Sequence, residues 1–126
     1  MGVFRSILAV VAGNMIFAVS AVLLFRLTGH DPHAPQSMVF MVLVVAYGMA
    51  FAAIGGVIAT RIAPSRAAMH AALVALLIAA GAAVSLLTSP PTDASWSQWG
   101  ALIFMAPCAW LVSRMPNRTT DNRSNR

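Results

Sequence analysis

Hydrophobic positions fall into four unbroken runs, at about residues 3–27, 36–60, 67–87 and 96–113, and in each run the apolar residues lie on all sides rather than along one stripe. Roughly 20 helical residues cross the ~30 Å hydrocarbon core of a bilayer, so each run has about the length of one crossing. Transmembrane strands would instead show segments of about ten residues with alternating polarity, and at least eight of them to close a ring. Four continuous runs do not fit that pattern. Lipid offers no water to satisfy backbone amides, so helices remain. The chain is therefore predicted to be all-α, an integral membrane bundle of four transmembrane helices within residues 1–115.

The residues between the runs agree with this reading. Pro32, Pro35, Pro64, Pro90 and Pro91 lie between spans, where the missing N–H costs nothing, and only Pro107 lies inside one. Ser95 followed three residues later by Gln98 has the form of a capping box opening the fourth helix.

Composition removes the alternatives to a membrane protein. Of the 126 residues 60% are hydrophobic and only 9% charged, with a mean hydropathy of +0.81. A soluble domain is nearer one quarter charged, and a disordered chain needs low hydrophobicity. All eight basic residues are Arg and all three acids are Asp. Without Lys or Glu there is no Schiff-base lysine and no glutamate general acid. The single cysteine, Cys108, forms no intrachain disulfide and reads as a small apolar filler.

Charge sets the expected orientation. Arg5, Arg61, Arg66, Arg114, Arg118, Arg123 and Arg126 share one side of a four-span topology, and only Arg26 falls on the other. By the positive-inside rule both termini are expected in the cytoplasm, as in a multi-pass protein of the cell inner (plasma) membrane. Trp96 and Trp99 fit an interfacial anchor on the outer side. The apolar core of the first run, residues 7–25, is longer than a signal peptide's and is read as a retained span. The tail, residues 116–126, is polar and basic and is expected to be cytoplasmic and disordered. Its two glycosylation sequons, at Asn117 and Asn122, would lie on the wrong side of the membrane for use. The arginines flank spans rather than gather on a surface, so the expected partner is the lipid bilayer and no nucleic acid.

Small residues predict how the helices pack. The second run carries Gly48, Ala52, Gly55, Gly56 and Ala59, and the third carries Ala68, Ala72, Ala75, Ala79, Ala82 and Ala83. Lipid gives no hydrophobic drive between helices, so close approach through small residues does the associating. The short link from Arg61 to Arg66 makes these two helices antiparallel neighbours, expected to form the tight centre with larger apolar residues facing lipid. The other reading of the Gly48/Gly56 stripe is a dimer seam.

The stretch from Ala53 to Pro64, with its Gly55-Gly56 helix end and short basic turn, followed by His70-Ala71 at a helix start, resembles a pattern in uncharacterised small four-helix bacterial integral membrane proteins. The resemblance covers mainly residues 48–85 and implies fold and membrane location without an activity. The first span carries no buried carboxylate, unlike small multidrug exporters. The strong charge bias separates the chain from dual-topology fluoride channels.

Polar residues inside the spans are few. Asn14 lies nine residues in from Arg5, about 13 Å along a helix. Pro107 leaves the Ile103 carbonyl unbonded at a comparable depth, so the Asn14 amide is expected to satisfy it and pin the first helix to the fourth. Ser20 and Tyr47 lie at matching depths and are expected to bond to each other. His70, near the cytoplasmic end of its helix, is expected to reach for headgroups. Outside the spans, His30, Asp31 and His33 are the candidate metal ligands, with Asp93 the nearest further donor. Pro32 breaks the helical spacing that would align the two imidazoles, and no cofactor is expected.

These features lead to an expected function that is non-catalytic and acts through helix–helix contacts, as an accessory subunit of another membrane protein or as a homo-oligomer. The alternative is a small-solute transporter or channel formed by an oligomer, with Asn14, Ser20, Tyr47 and Ser85 lining one path. An enzyme built on the His30/Asp31/His33 loop is the least supported reading.

Overall fold

The computed structural model describes residues 2–63, 65–88 and 95–115. The tail at residues 116–126 and Asp93 lie outside the described residues. Among the described residues the secondary structure is helical, without strands. Three helices are long and apolar enough to cross a membrane: α1 (Gly2–Thr28), α2 (Met38–Ile62) and α3 (Ala67–Thr88). The fourth segment is built of consecutive pieces: α4 (Trp96–Gly100), a π-helical turn (Ala101–Met105), α5 (Ala106–Leu111) and a 3-10 turn (Val112–Arg114).

Local chemistry explains the ends and the break. Ser37 caps α2, its hydroxyl accepting the Phe40 N–H at 3.3 Å. Ser95 makes no such bond, so the predicted capping box does not form. The π turn directly precedes Pro107, with the Ala106 N–H bonded to the Ala101 carbonyl five residues back. A proline has no N–H and its ring clashes with the carbonyl four residues earlier, and the wider turn accommodates both.

The interior is lined with small residues, and the surface with large apolar ones. Ala9, Ala52, Ala59, Ala71 and Ala109 are fully buried, whereas Phe4, Val22, Leu43, Leu76, Val84 and Leu111 are exposed. A soluble protein would waste hydrophobic free energy with this distribution. In lipid, large side chains lose nothing by facing outward, and small ones let backbones touch.

Helix α2 is the centre, and α1 and the fourth segment make the closest approaches to it. A Cβ built at Gly13 of α1 would lie 2.5 Å from the Gly55 carbonyl oxygen, and one built at Gly55 would strike the Gly13 carbonyl in return. Gly56 faces the Ala109 backbone, and Gly48 holds the end of the Met105 side chain. The tightest contacts of α2 are therefore with α1 and α5, not with α3 as expected. On α3 the buried positions are His70, Ala71, Val74, Ile78 and Ala82. Of the predicted small residues of α3, Ala82 is buried, Ala72, Ala75, Ala79 and Ala83 are half-buried, with Ala75 and Ala79 at the edge of the core, and Ala68 is exposed. The spacing shows where small residues recur on a helix but not which neighbour they will meet.

The backbone-to-backbone approach should make Gly13 and Gly55 intolerant of any side chain. Gly55→Ala is expected to cost about 1–3 kcal/mol, as overpacked contacts do. Gly81→Ala should be far better tolerated than Gly55→Ala, because a Cβ there meets nothing within 4 Å in the chain itself. Thermal unfolding in detergent checks both.

Candidate functional site

The polar side chains of the described residues gather mainly at the end of the bundle away from Arg5, Arg61, Arg66 and Arg114. Gln98, on the first turn of α4, is buried and lies at the centre of this cluster. Its Nε2 lies 3.0 Å from His33 Nδ1 and donates to Ser85 Oγ at 3.3 Å. Ser97 Oγ lies 3.0 Å from both Gln98 Oε1 and the Pro32 carbonyl oxygen. Trp96 Nε1 donates to the Ala34 carbonyl at 3.3 Å. Together these bonds clasp the α1–α2 loop, the end of α3 and the start of α4. Buried polar groups are tolerable only when bonded, and here each partner answers another. The sequence reading gave Gln98 a local role as N3 of a capping box. Besides the adjacent Ser97, its partners lie 13 and 65 residues away and leave no local signal.

The loop beside the clasp does not assemble a metal site. His30 stacks on Phe40 with ring centroids 4.0 Å apart, and its Nδ1 lies 2.9 Å from the Thr28 carbonyl. Asp31 folds onto its own loop, accepting the His33 N–H at 2.8 Å. His33 Nδ1 is taken up by Gln98. Among the described residues no group of three His, Cys, Asp or Glu side chains converges as metal ligands.

Within the spans, Ser20 and Tyr47 do meet, though not through their hydroxyls. Tyr47 donates to the backbone carbonyl of Ser20 at 3.2 Å, while the Ser20 hydroxyl donates to the Phe17 carbonyl at 2.7 Å. Tyr47 also tilts against Phe51, with centroids 4.5 Å apart. Both Ser20 and Tyr47 line a cavity of about 140 Å³ between α1, α2 and the fourth segment. Asn14 points elsewhere, into a groove of about 280 Å³ that it lines with Phe17, Ala18, Gly81, Ala82, Ser97 and Gln98. Among the described residues its carboxamide makes no hydrogen bond, so the expected link to the Ile103 carbonyl is not formed. The transport reading requires Asn14, Ser20, Tyr47 and Ser85 on one surface. Instead they divide between the small cavity, the groove and the clasp. Six residues of helix separate Asn14 from Ser20, which turns them through about 600° and leaves them about 120° apart on the helix.

His70 also departs from its expectation. It is 2% exposed, its Nδ1 lies 3.1 Å from the Arg66 carbonyl, and its buried Nε2 has no hydrogen-bond partner among the described residues. It packs inward with Ser6, Ile7 and Val10 of α1 nearby, rather than reaching out to headgroups. Arg114 lies over the Trp110 ring, 4.3 Å from its centroid, and secures the arginine-rich end of the fourth segment. Compared with known proteins, the chain matches no family model, no curated protein and no solved structure.

Breaking the clasp at its centre should loosen one end of the bundle. Gln98→Leu is expected to lower stability by about 1–3 kcal/mol, because it leaves the half-buried Ser85 and Ser97 hydroxyls without their partner. A double-mutant cycle with His33→Ala in detergent unfolding should give a coupling of about 0.5–1.5 kcal/mol.

Proposed function

We propose that the chain is a four-span protein of the cell inner membrane, with both termini in the cytoplasm, that acts through helix–helix contacts as a homo-oligomer or accessory subunit. The observation that carries this reading is the inverted distribution of side chains, with glycines and alanines at the contacts and large aliphatic residues around the outside. The fourth crossing rests on the consecutive helical pieces from Trp96 to Arg114, whose 19 residues extend about 28 Å. Four crossings place Arg5, Arg61, Arg66 and Arg114 at one face of the membrane and Arg26 at the other, which is the bias that sets orientation. Fold and location on this reading match those of the small four-helix bacterial membrane proteins that the Gly55-Gly56 helix end resembles.

A second reading, a small-solute transporter or channel formed by an oligomer, is favoured by one observation. Asn14, Ser97 and Gln98 give the groove between α1, α3 and the fourth segment its polar lining. In an assembly such a groove would become an enclosed path.

The topology is tested by cysteine labelling on a Cys108→Ser background. Arg118→Cys should resist a membrane-impermeant maleimide in intact cells and react after permeabilisation, whereas Asp31→Cys should react at once. Labelling of position 118 from outside, or recovery of the protein in the aqueous fraction, overturns the reading. In reconstituted vesicles, solute flux that Asn14→Leu abolishes would carry the second reading instead.

A further inference from the structure

Two features of the α1–α3 groove are left unpaired among the described residues. The first is Asn14. Its carboxamide sits about 13 Å along α1 from Arg5, only half-buried, and makes no hydrogen bond among the described residues. At that depth no water replaces a missing partner, so an unbonded amide is costly. The second is Gly81, across the same groove on α3. Gly13, Gly48, Gly55, Gly56 and Gly100 each press against a neighbouring helix, whereas Gly81 is exposed and a Cβ there would meet nothing within 4 Å. Glycine is the least favourable helix-interior residue after proline, and inside this chain nothing is gained by having it at that position.

Both features are accounted for by something that approaches α3 closely and carries a hydrogen-bonding group at the depth of Asn14. A lipid tail would fill the groove but leave the amide unbonded. We propose that the groove is a self-association surface, in which a second copy of the chain packs along α1 and α3 and the two Asn14 side chains bond to each other. The inference rests on the helix-contact reading above and names its partner. A carboxamide carries both donor and acceptor, so two of them related by a two-fold axis satisfy one another. Ala18 and Ala82 flank the pair and keep the groove shallow enough for a helix to enter. The rival seam, Gly48 and Gly56, is already covered by Met105 and Ala109 of the same chain. The clasp residues Gln98, Ser97 and His33 bond among themselves and need no partner from outside.

The test uses the full chain in mild detergent, with mass measured after subtraction of bound detergent. The wild type should have the mass of two 13.3 kDa chains. Gly81→Leu fills the groove from a position where a Cβ meets nothing within 4 Å, and it should give a single chain that still unfolds cooperatively. Asn14→Val should weaken dimerisation by roughly tenfold, and Asn14→Gln, which keeps the carboxamide, should retain most of it. A wild type of single-chain mass overturns the proposal. So does a dimer unaffected by both Gly81→Leu and Asn14→Val, which would leave the helix-contact reading standing on a different surface. Loss of the four-span topology in the labelling experiment would instead remove the premise of both.

Discussion

Hydrocarbon does not distinguish a helix facing lipid from a helix facing another helix, and so it supplies no general force to bring spans together. What holds this bundle is therefore local and geometric: backbones that come into contact because no side chain separates them. Gly13 with Gly55, and Gly56 with Ala109, are the two places where this happens, and both involve α2. Helix α2 is central because it alone carries glycines on two faces. The remaining interior residues, from Ala52 and Ala59 to Val74 and Ile78, fill the space that those two approaches define.

The same constraint governs the polar groups. Tyr47 and Ser20 spend their hydroxyl protons on backbone carbonyls, one across the α1–α2 contact and one within α1. Gln98 collects His33, Ser85 and Ser97 at the end of the bundle. That clasp compensates for a missing property of the helix contacts. Small-residue packing tells a helix how closely to approach but says little about the connecting loops, and the hydrogen bonds tie the α1–α2 loop to α3 and α4.

How much of this was legible in the sequence depends on the range of the signal. The all-helical character and three helices long and apolar enough to cross a membrane follow from continuous apolar runs, a local property that needs no partner to be read. The small residues of α2 are also visible, but the choice between α3 and α1 is not, because α1 carries its own small residues at helical spacing, Ala9, Gly13 and Ser20, and spacing does not name a partner. Gln98 misleads for a related reason. Its spacing from Ser95 matches a local motif, while its contacts with His33 and Ser85 depend on how distant segments fold together. Asn14 stands out from its depth, yet a bond to Ile103 requires that the two helices present those groups to each other. The position of His70 near a helix end suggests a headgroup contact, and the rotation of the helix turns it inward.

The π turn before Pro107 sets how the fourth segment counts its steps. Gly100, Met105 and Ala109 all face α2, at Val45, Gly48 and Gly56. Their spacing is five residues and then four. In an unbroken α-helix, five residues overshoot a full turn by about 140°, so Met105 and Ala109 would swing off the face that Gly100 presents. The extra residue taken up by the π turn cancels most of that overshoot. A proline generally read as a point of weakness thus sets the phase of the helix, and it lets one strip of the fourth segment stay seated on α2 along most of its length.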